Sequence, residues 1–296
     1  MKTNKFFISA IALSVALTSF YACSNDDDDP TPLPPIGGFN SADEVGAADL
    51  VAYWPLNGAG TETKSSTNAS SAAGESWVTG VKGQAVSLNS GYLKYPTIAG
   101  LSSGMESFTI STWFKVMNNG TSASVFLTLS RPNEWGGNVN FMAETGWMQP
   151  TSDSITVKGL IISDNALGWQ DSRNAVTVSP DDAALGHVAH PNKVGGQWAH
   201  GVISWDGSSR MFKVYVDGVK ISNPAWELRG ADDSPAFAMA SPTYPVIGAF
   251  ATYANGTPID VWDNGMTGQL DEMRVWKKVL SPADINSLYE LELAGR

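Results

Sequence analysis

Carboxylates, histidines and indoles are the side chains of this chain that could do chemistry. Two carboxylates can flank a glycosidic bond, one as acid and the other as base or nucleophile. Asp271 and Glu272 are adjacent, so in a strand they point to opposite faces and cannot act as a pair. Asp181-Asp182 and Asp232-Asp233 fall in expected loops, and Glu134 and Glu144 flank an expected strand. Either glutamate could meet another carboxylate only through tertiary folding. His187 and His190 have the spacing of two ligands on one helical turn, but Pro191 follows and no third ligand is nearby in sequence. A zinc site takes three or four ligands. His200 lies in an apolar strand, the setting of a packed or hydrogen-bonded histidine.

Indoles offer a different chemistry. A flat aromatic face stacks on the C–H-rich face of a sugar ring, while amides and carboxylates take the hydroxyls. Trp135, Trp147, Trp169 and Trp262 are the candidate carbohydrate contacts, in loops or at strand ends, with Trp226 and Tyr253 in similar settings. Asn133, Asn138, Gln149, Gln170 and Asn255 are close to them in sequence. An exposed apolar patch marks a binding surface; the alternative for each indole is a lid over the core. Trp54, Trp113, Trp205 and Trp276 sit inside strand patterns and read as core.

The elements that must position these residues are short strands. The clearest is the hairpin of residues 198–221, where Val202 and Ser204 alternate with Ile203 and Trp205, and Phe212, Val214 and Val216 with Lys213 and Tyr215. Apolar residues on both faces indicate strands inside a stacked pair of sheets. Asp217-Gly218 is a tight-turn pair. Further strands are expected at 50–56, 83–89, 92–96, 107–116, 125–130, 138–143, 155–163, 244–250 and 268–276, with a coreless Ser/Thr/Ala/Gly loop over 59–74. One helix follows Ser281, which is a good N-cap with Pro282 at the first helical position and Asp284 in the first turn. Ile285, Leu288 and Tyr289 are spaced for docking. Many short strands and one late helix point to a β-sandwich.

The chain of 296 residues is 43% hydrophobic and 16% charged, enough for a sizeable core. Its start reads differently. Lys2 and Lys5 precede an apolar run over 6–20 that is too short for a permanent membrane span. Residues 1–22 are therefore expected to be a signal peptide, and Cys23, the single cysteine, the lipid anchor. With one cysteine no internal disulfide can form. An Asp run and a Pro-rich stretch make 23–48 an extended tether, leaving 49–296 as the folded domain. A net charge of −11 argues against nucleic acid and against adhesion to anionic lipid, and favours a neutral glycan over a polyanionic one.

Several blocks carry a resemblance. Residues 50–58 (Leu-Val-Ala-Tyr-Trp-Pro-Leu-Asn-Gly), 81–88, 108–114, 198–218 and 268–282 resemble, in order, the blocks of a laminin-G-like domain of the concanavalin A-like superfamily. The resemblance implies an all-β fold, a two-sheet antiparallel jelly-roll β-sandwich with one short C-terminal helix. That fold hosts lectins, glycan-binding modules, glycosidases, lyases and spacers, so it does not fix a function. Glycosidases of this fold carry Glu-x-Asp-x-x-Glu on one strand and its lyases carry Gln-x-His; neither pattern occurs here. Relatives hold a structural calcium through an Asp of the last strand. Asp271 matches that position, while residues 58–63 offer only Glu62 and carbonyls. Calcium wants six to eight oxygens, and the alternative for Asp271 is a carboxylate that accepts backbone hydrogen bonds. Tyr21-Ala22-Cys23 resembles a bacterial lipobox, and the acidic run after it resembles the export signal of surface lipoproteins in Gram-negative bacteria. The expectation is a lipoprotein on the exterior of the outer membrane that binds carbohydrate without chemistry and assists polysaccharide capture. The alternatives are a glycoside hydrolase with a divergent carboxylate pair and a structural or adhesive surface protein.

Overall fold

The computed structural model describes residues 33–296. Cys23 and the expected leader lie outside the described residues. The packed unit begins at Pro35, so the later part of the expected tether belongs to the domain. Ile36 and Phe39 exchange backbone hydrogen bonds of 2.9 and 3.0 Å across a Gly37-Gly38 turn. They pack with Ala42 and Val45 against Trp276, Leu280 and Leu288. The surrounding Pro, Gly and acidic residues hid this short apolar set in the sequence.

The strands are β1 (Leu50–Trp54), β2 (Ser71–Thr79), β3 (Gln84–Lys94), β4 (Phe108–Lys115), β5 (Ser124–Leu129), β6 (Val139–Ala143) and β7 (Val157–Ile162). They continue with β8 (Trp169–Arg173), β9 (Ala199–Asp206), β10 (Met211–Val216), β11 (Val219–Lys220), β12 (Pro245–Ile247) and β13 (Met266–Trp276). Three helices are described: α1 (Pro180–Ala184), α2 (Ala251–Ala254) and α3 (Pro282–Leu293). Only α3 was foreseen; α1 and α2 are each about one turn, too short to show a helical period.

The named strands pair antiparallel, in the order β11-β10-β9-β4-β13-β3-β12-β5-β6-β7-β8, with β1 on β13 and β2 on β3. The path curls until its two halves face each other as a jelly-roll sandwich. Phe212 of β10 fills the space beside Gly159 of β7: a Cβ there would stand 2.5 Å from the phenyl ring. The core between the layers holds Phe108, Ile110, Phe114, Phe126, Phe141, Ile161, Ile203 and Val214, with Trp54 and Trp205 fully buried. Asp217 and Gly218 both have positive φ, 51° and 76°, the conformation of a two-residue hairpin turn.

Each layer also has an outer face. On the β9-β4-β13 layer, α3 covers it. Ser281 and Asp284 form a reciprocal capping box at the helix start. Ile285, Leu288 and Leu291 then bury against Val202, Tyr215 and Trp276. Beneath the helix lies a buried charge cluster. Arg274 binds Glu292, bonds Glu272 at 2.9 Å, reaches Asp43 at 3.1 Å and lies over the Tyr53 ring at 4.1 Å. Glu292 also accepts from Trp113 Nε1 at 2.7 Å. His200 is packed, as expected, beside Trp113 and Tyr289.

On the β5-β6-β7-β8 layer no helix of comparable length among the described residues covers the outer face. Val125, Met142, Leu160 and Ile162 point outward there and are covered by Phe250, Trp135 and Trp262 from loops. Incomplete cover on this face makes the cleft described next.

Candidate binding cleft

Strand alternation places the cleft residues. Gly159 and Ile161 of β7 face the core, so Lys158, Leu160 and Ile162 face out. The register sets Met142 opposite Lys158, Lys158 opposite Arg173, Leu160 opposite Asp171 and Ile162 opposite Trp169. One row across the sheet thus runs from the apolar Val125 and Met142 to the cationic Lys158 and Arg173.

Three loops rim this surface. Trp135 comes from the β5–β6 loop, Trp147 from the β6–β7 loop and Trp262 from the loop before β13. With Met142, Leu160, Phe250, Glu144 and Lys158 they line a hollow of ≈ 390 Å³, within the range of small-ligand sites. Trp135 is the hub: its ring lies 4.9 Å from Trp262, 4.9 Å from Phe250 and 5.4 Å from Trp169. Edge-to-face contacts of this kind hold indoles in fixed orientations. Trp147 and Trp169 are 54% and 47% exposed, so their faces are open to a ligand. Trp169 is the first residue of β8, a strand end.

The polar part of the site was largely missed from sequence. Lys158 Nζ lies 2.9 Å from Glu144 and 3.7 Å from Asp171. Two carboxylates therefore face one ammonium at the side of the hollow. The ammonium also lies 5.4 Å from the Trp147 ring. Beyond Trp147 a second hollow of ≈ 250 Å³ is lined by Trp147, Met148, Thr156, Arg173 and Trp226 among others. The signal that could have found these residues is the alternation Lys158-x-Leu160-x-Ile162 and Trp169-x-Asp171-x-Arg173, read as one exposed sheet face.

The other expected sites fare differently. Asp271 is fully buried. One of its oxygens accepts from the backbone N–H of Val81 at 2.8 Å and of Lys82 at 3.1 Å, and the other from Glu272 N–H at 3.0 Å. Burial pushes its carboxyl up to about 7 against the opposing pull of Lys82 N–H. Glu62 is also buried and accepts from the N–H groups of Tyr53, Lys64 and Ser65. N–H donors occupy the lone pairs a calcium ion would need, so these residues do not fit that ion. Among the described residues no cluster of three metal-ligating side chains occurs. His187 instead pairs with the Asn223 amide at 2.9 Å and meets the Trp226 ring.

The architecture is that of the jelly-roll sandwich proteins, with an aromatic cleft on one outer face. Residues 87–286 match the family model Laminin_G_3, the concanavalin A-like lectin/glucanases superfamily, and the chain belongs to that superfamily. No curated protein matches it. Among solved structures it is similar to domain 4 of AbnA, a GH43 extracellular arabinanase from Geobacillus stearothermophilus, in complex with arabinotriose. The identity is 18% over 81% of this chain and 98% of that one, with a TM-score of 0.52. It is also similar to the binding domain of Paraclostridial Mosquitocidal Protein 1 (14% identity, 82% and 52% coverage, TM-score 0.51). A third neighbour is the botulinum neurotoxin serotype D ligand binding domain in complex with N-acetylneuraminic acid (12% identity, 84% and 52% coverage, TM-score 0.52). This chain spans about half of the two toxin domains. At these identities the likeness is one of fold.

Proposed function

We propose that this protein is a surface-anchored lipoprotein that holds carbohydrate in the cleft beneath Trp135, Trp147 and Trp262 without covalent chemistry. The observation that carries the reading is the convergence of indoles from three loops on one apolar hollow, with a carboxylate and an ammonium at its side. Indole faces take the C–H surface of a sugar ring, and the Glu144–Lys158 pair offers an acceptor and a donor to neighbouring hydroxyls. The domain 4 neighbour, solved with arabinotriose, adds a glycan-binding precedent on the same fold. The apolar hollow and the net charge of −11 favour an uncharged ring there. Cys23 behind its apolar run is the proposed lipid attachment, on the outer membrane and facing the medium.

Retention in native gels cast with polysaccharides tests the reading: slowed migration on at least one supports it, and unchanged migration on all of them overturns it. One observation favours a second reading. Glu144 and Asp171, close enough to share Lys158, are a geometric counterpart of the divergent carboxylate pair of a hydrolase. Release of reducing ends by the wild-type protein, abolished in Glu144→Gln, would establish that reading. Binding without release favours the first.

A further inference from the structure

The second hollow differs from the first in its charge. Arg173 projects from the end of β8 and its guanidinium lies 3.9 Å from the Trp226 ring and 5.1 Å from the Trp147 ring. Its side chain is 28% exposed, held between the two indoles rather than free in solvent. Its nearest carboxylate, Asp171, is 4.0 Å from Nε and is already shared with Lys158 at 3.7 Å and Arg229 at 3.4 Å. The terminal guanidinium nitrogens donate to no acceptor among the described residues. Three cations here face two carboxylates, Glu144 and Asp171. This local excess of positive charge stands in a chain of net charge −11, where a polyanion would gain nothing from the general surface.

A guanidinium set between two aromatic rings, with its terminal nitrogens unpaired, is a receptor for a planar or tetrahedral anion. We propose that the hollow between Trp147 and Trp226 is an anion subsite, in which Arg173 takes the carboxylate or sulfate of an acidic sugar. An uncharged ring of the same chain stacks in the hollow beneath Trp135 and Trp262. The two hollows share Trp147 as their common wall, so the ligand is an extended glycan with charged and uncharged residues. The inference rests on the reading of the cleft as a glycan site and adds the charge of its ligand.

The test is affinity electrophoresis of the protein in a glucuronoxylan and a partially sulfated galactan, polymers that carry charged and uncharged rings, each beside its carboxyl-reduced or desulfated form. The expected result is retention by at least one acidic polymer about tenfold stronger than by its neutral counterpart. Arg173→Gln abolishes that difference and leaves retention on the neutral form unchanged, which also reports an intact fold. Arg173→Lys restores only part of it, because an ammonium lacks the fork. Preference for the carboxylated or the sulfated polymer identifies the anion. Equal retention on acidic and neutral forms, or an acidic preference that survives Arg173→Gln, overturns the anion subsite while the glycan reading stands. Absence of retention on every polymer overturns both.

Discussion

Trp135 and Trp262 stand edge to face with their ring centres 4.9 Å apart, although one belongs to the β5–β6 loop and the other to the β12–β13 loop. Their contact closes one side of the cleft, and Phe250 sits under both rings. An indole held by two aromatic partners is structural as well as available to a ligand. Trp147, more than half exposed, has Lys158 and Arg173 against its ring.

The two indoles should therefore separate on mutation. Trp135→Ala removes a hub of the outer cluster and is expected to cost about 3 kcal/mol. Trp147→Ala breaks exposed cation–π contacts and is expected to cost under about 1 kcal/mol. Urea unfolding of both variants checks this. Equal losses would mean that Trp147 also holds the fold.

Gly159 transmits core packing to the cleft. Its hydrogen lies against Phe212, and its neighbours Lys158 and Leu160 face the ligand side. Gly159→Leu is expected to cost about 1–3 kcal/mol by overpacking. Gly159→Ala already sets a Cβ against the Phe212 ring, so the paired change Gly159→Ala/Phe212→Leu should lose less stability than the sum of the two single changes. A Gly159→Leu protein with an unaltered denaturation midpoint would contradict this account of the interlayer contact.

The buried cluster under α3 predicts a pH dependence. Burial, aided by the charge of Arg274, lowers the His200 imidazole from 6.5 to about 3. Glu292 lies 3.6 Å away, but it is bound by Arg274 and Trp113 and does not charge the ring. The unfolded chain gains this proton below about 6.5, whereas the folded chain gains it only near 3. The stabilising effect of a neutral His200 is thus complete above 6.5 and is lost as pH falls toward 3. Asp271 works in the opposite sense: its carboxyl is raised from 3.8 to about 7, so its share of stability falls as pH rises through that interval. Relative to wild type, His200→Gln should gain stability steadily as pH is lowered from neutrality. A difference between the two proteins that does not change with pH would show that His200 titrates normally.

Divalent cations should not matter to the fold. N–H groups fill the carboxylates of Asp271 and Glu62, so the melting temperature should be the same in excess chelator and in millimolar calcium. Differential scanning calorimetry decides this. A fall of several degrees on chelation, restored by calcium, would show that these residues rearrange around an ion.

What was legible in the sequence is what local rules govern. The alternation in β9 and β10, the Asp217-Gly218 turn and the Ser281–Asp284 cap all appear where the residues place them. β2 was missed because Ser71–Thr79 has an exposed outer course and no apolar period; only its pairing with β3 makes it a strand. β8 was missed because Trp-Gln-Asp-Ser-Arg has polar residues on both faces and so shows no apolar alternation. Trp135, Trp147, Trp169 and Trp262 were legible one by one. Their convergence was not, because it depends on the curl of the sheet and on the β12–β13 loop returning over β5 and β6. Lys158, Asp171 and Arg173 become a set only through the register of β6, β7 and β8.

The central claim is that the indole-rimmed hollow is the glycan site. Isothermal titration of a polysaccharide that retards the wild-type protein, repeated with the double variant Trp147→Ala/Trp262→Ala, tests it most directly. The account predicts that affinity falls steeply or to nothing, while circular dichroism shows the β-sandwich intact. Undiminished affinity in the folded double variant would contradict it and place the glycan elsewhere on the molecule.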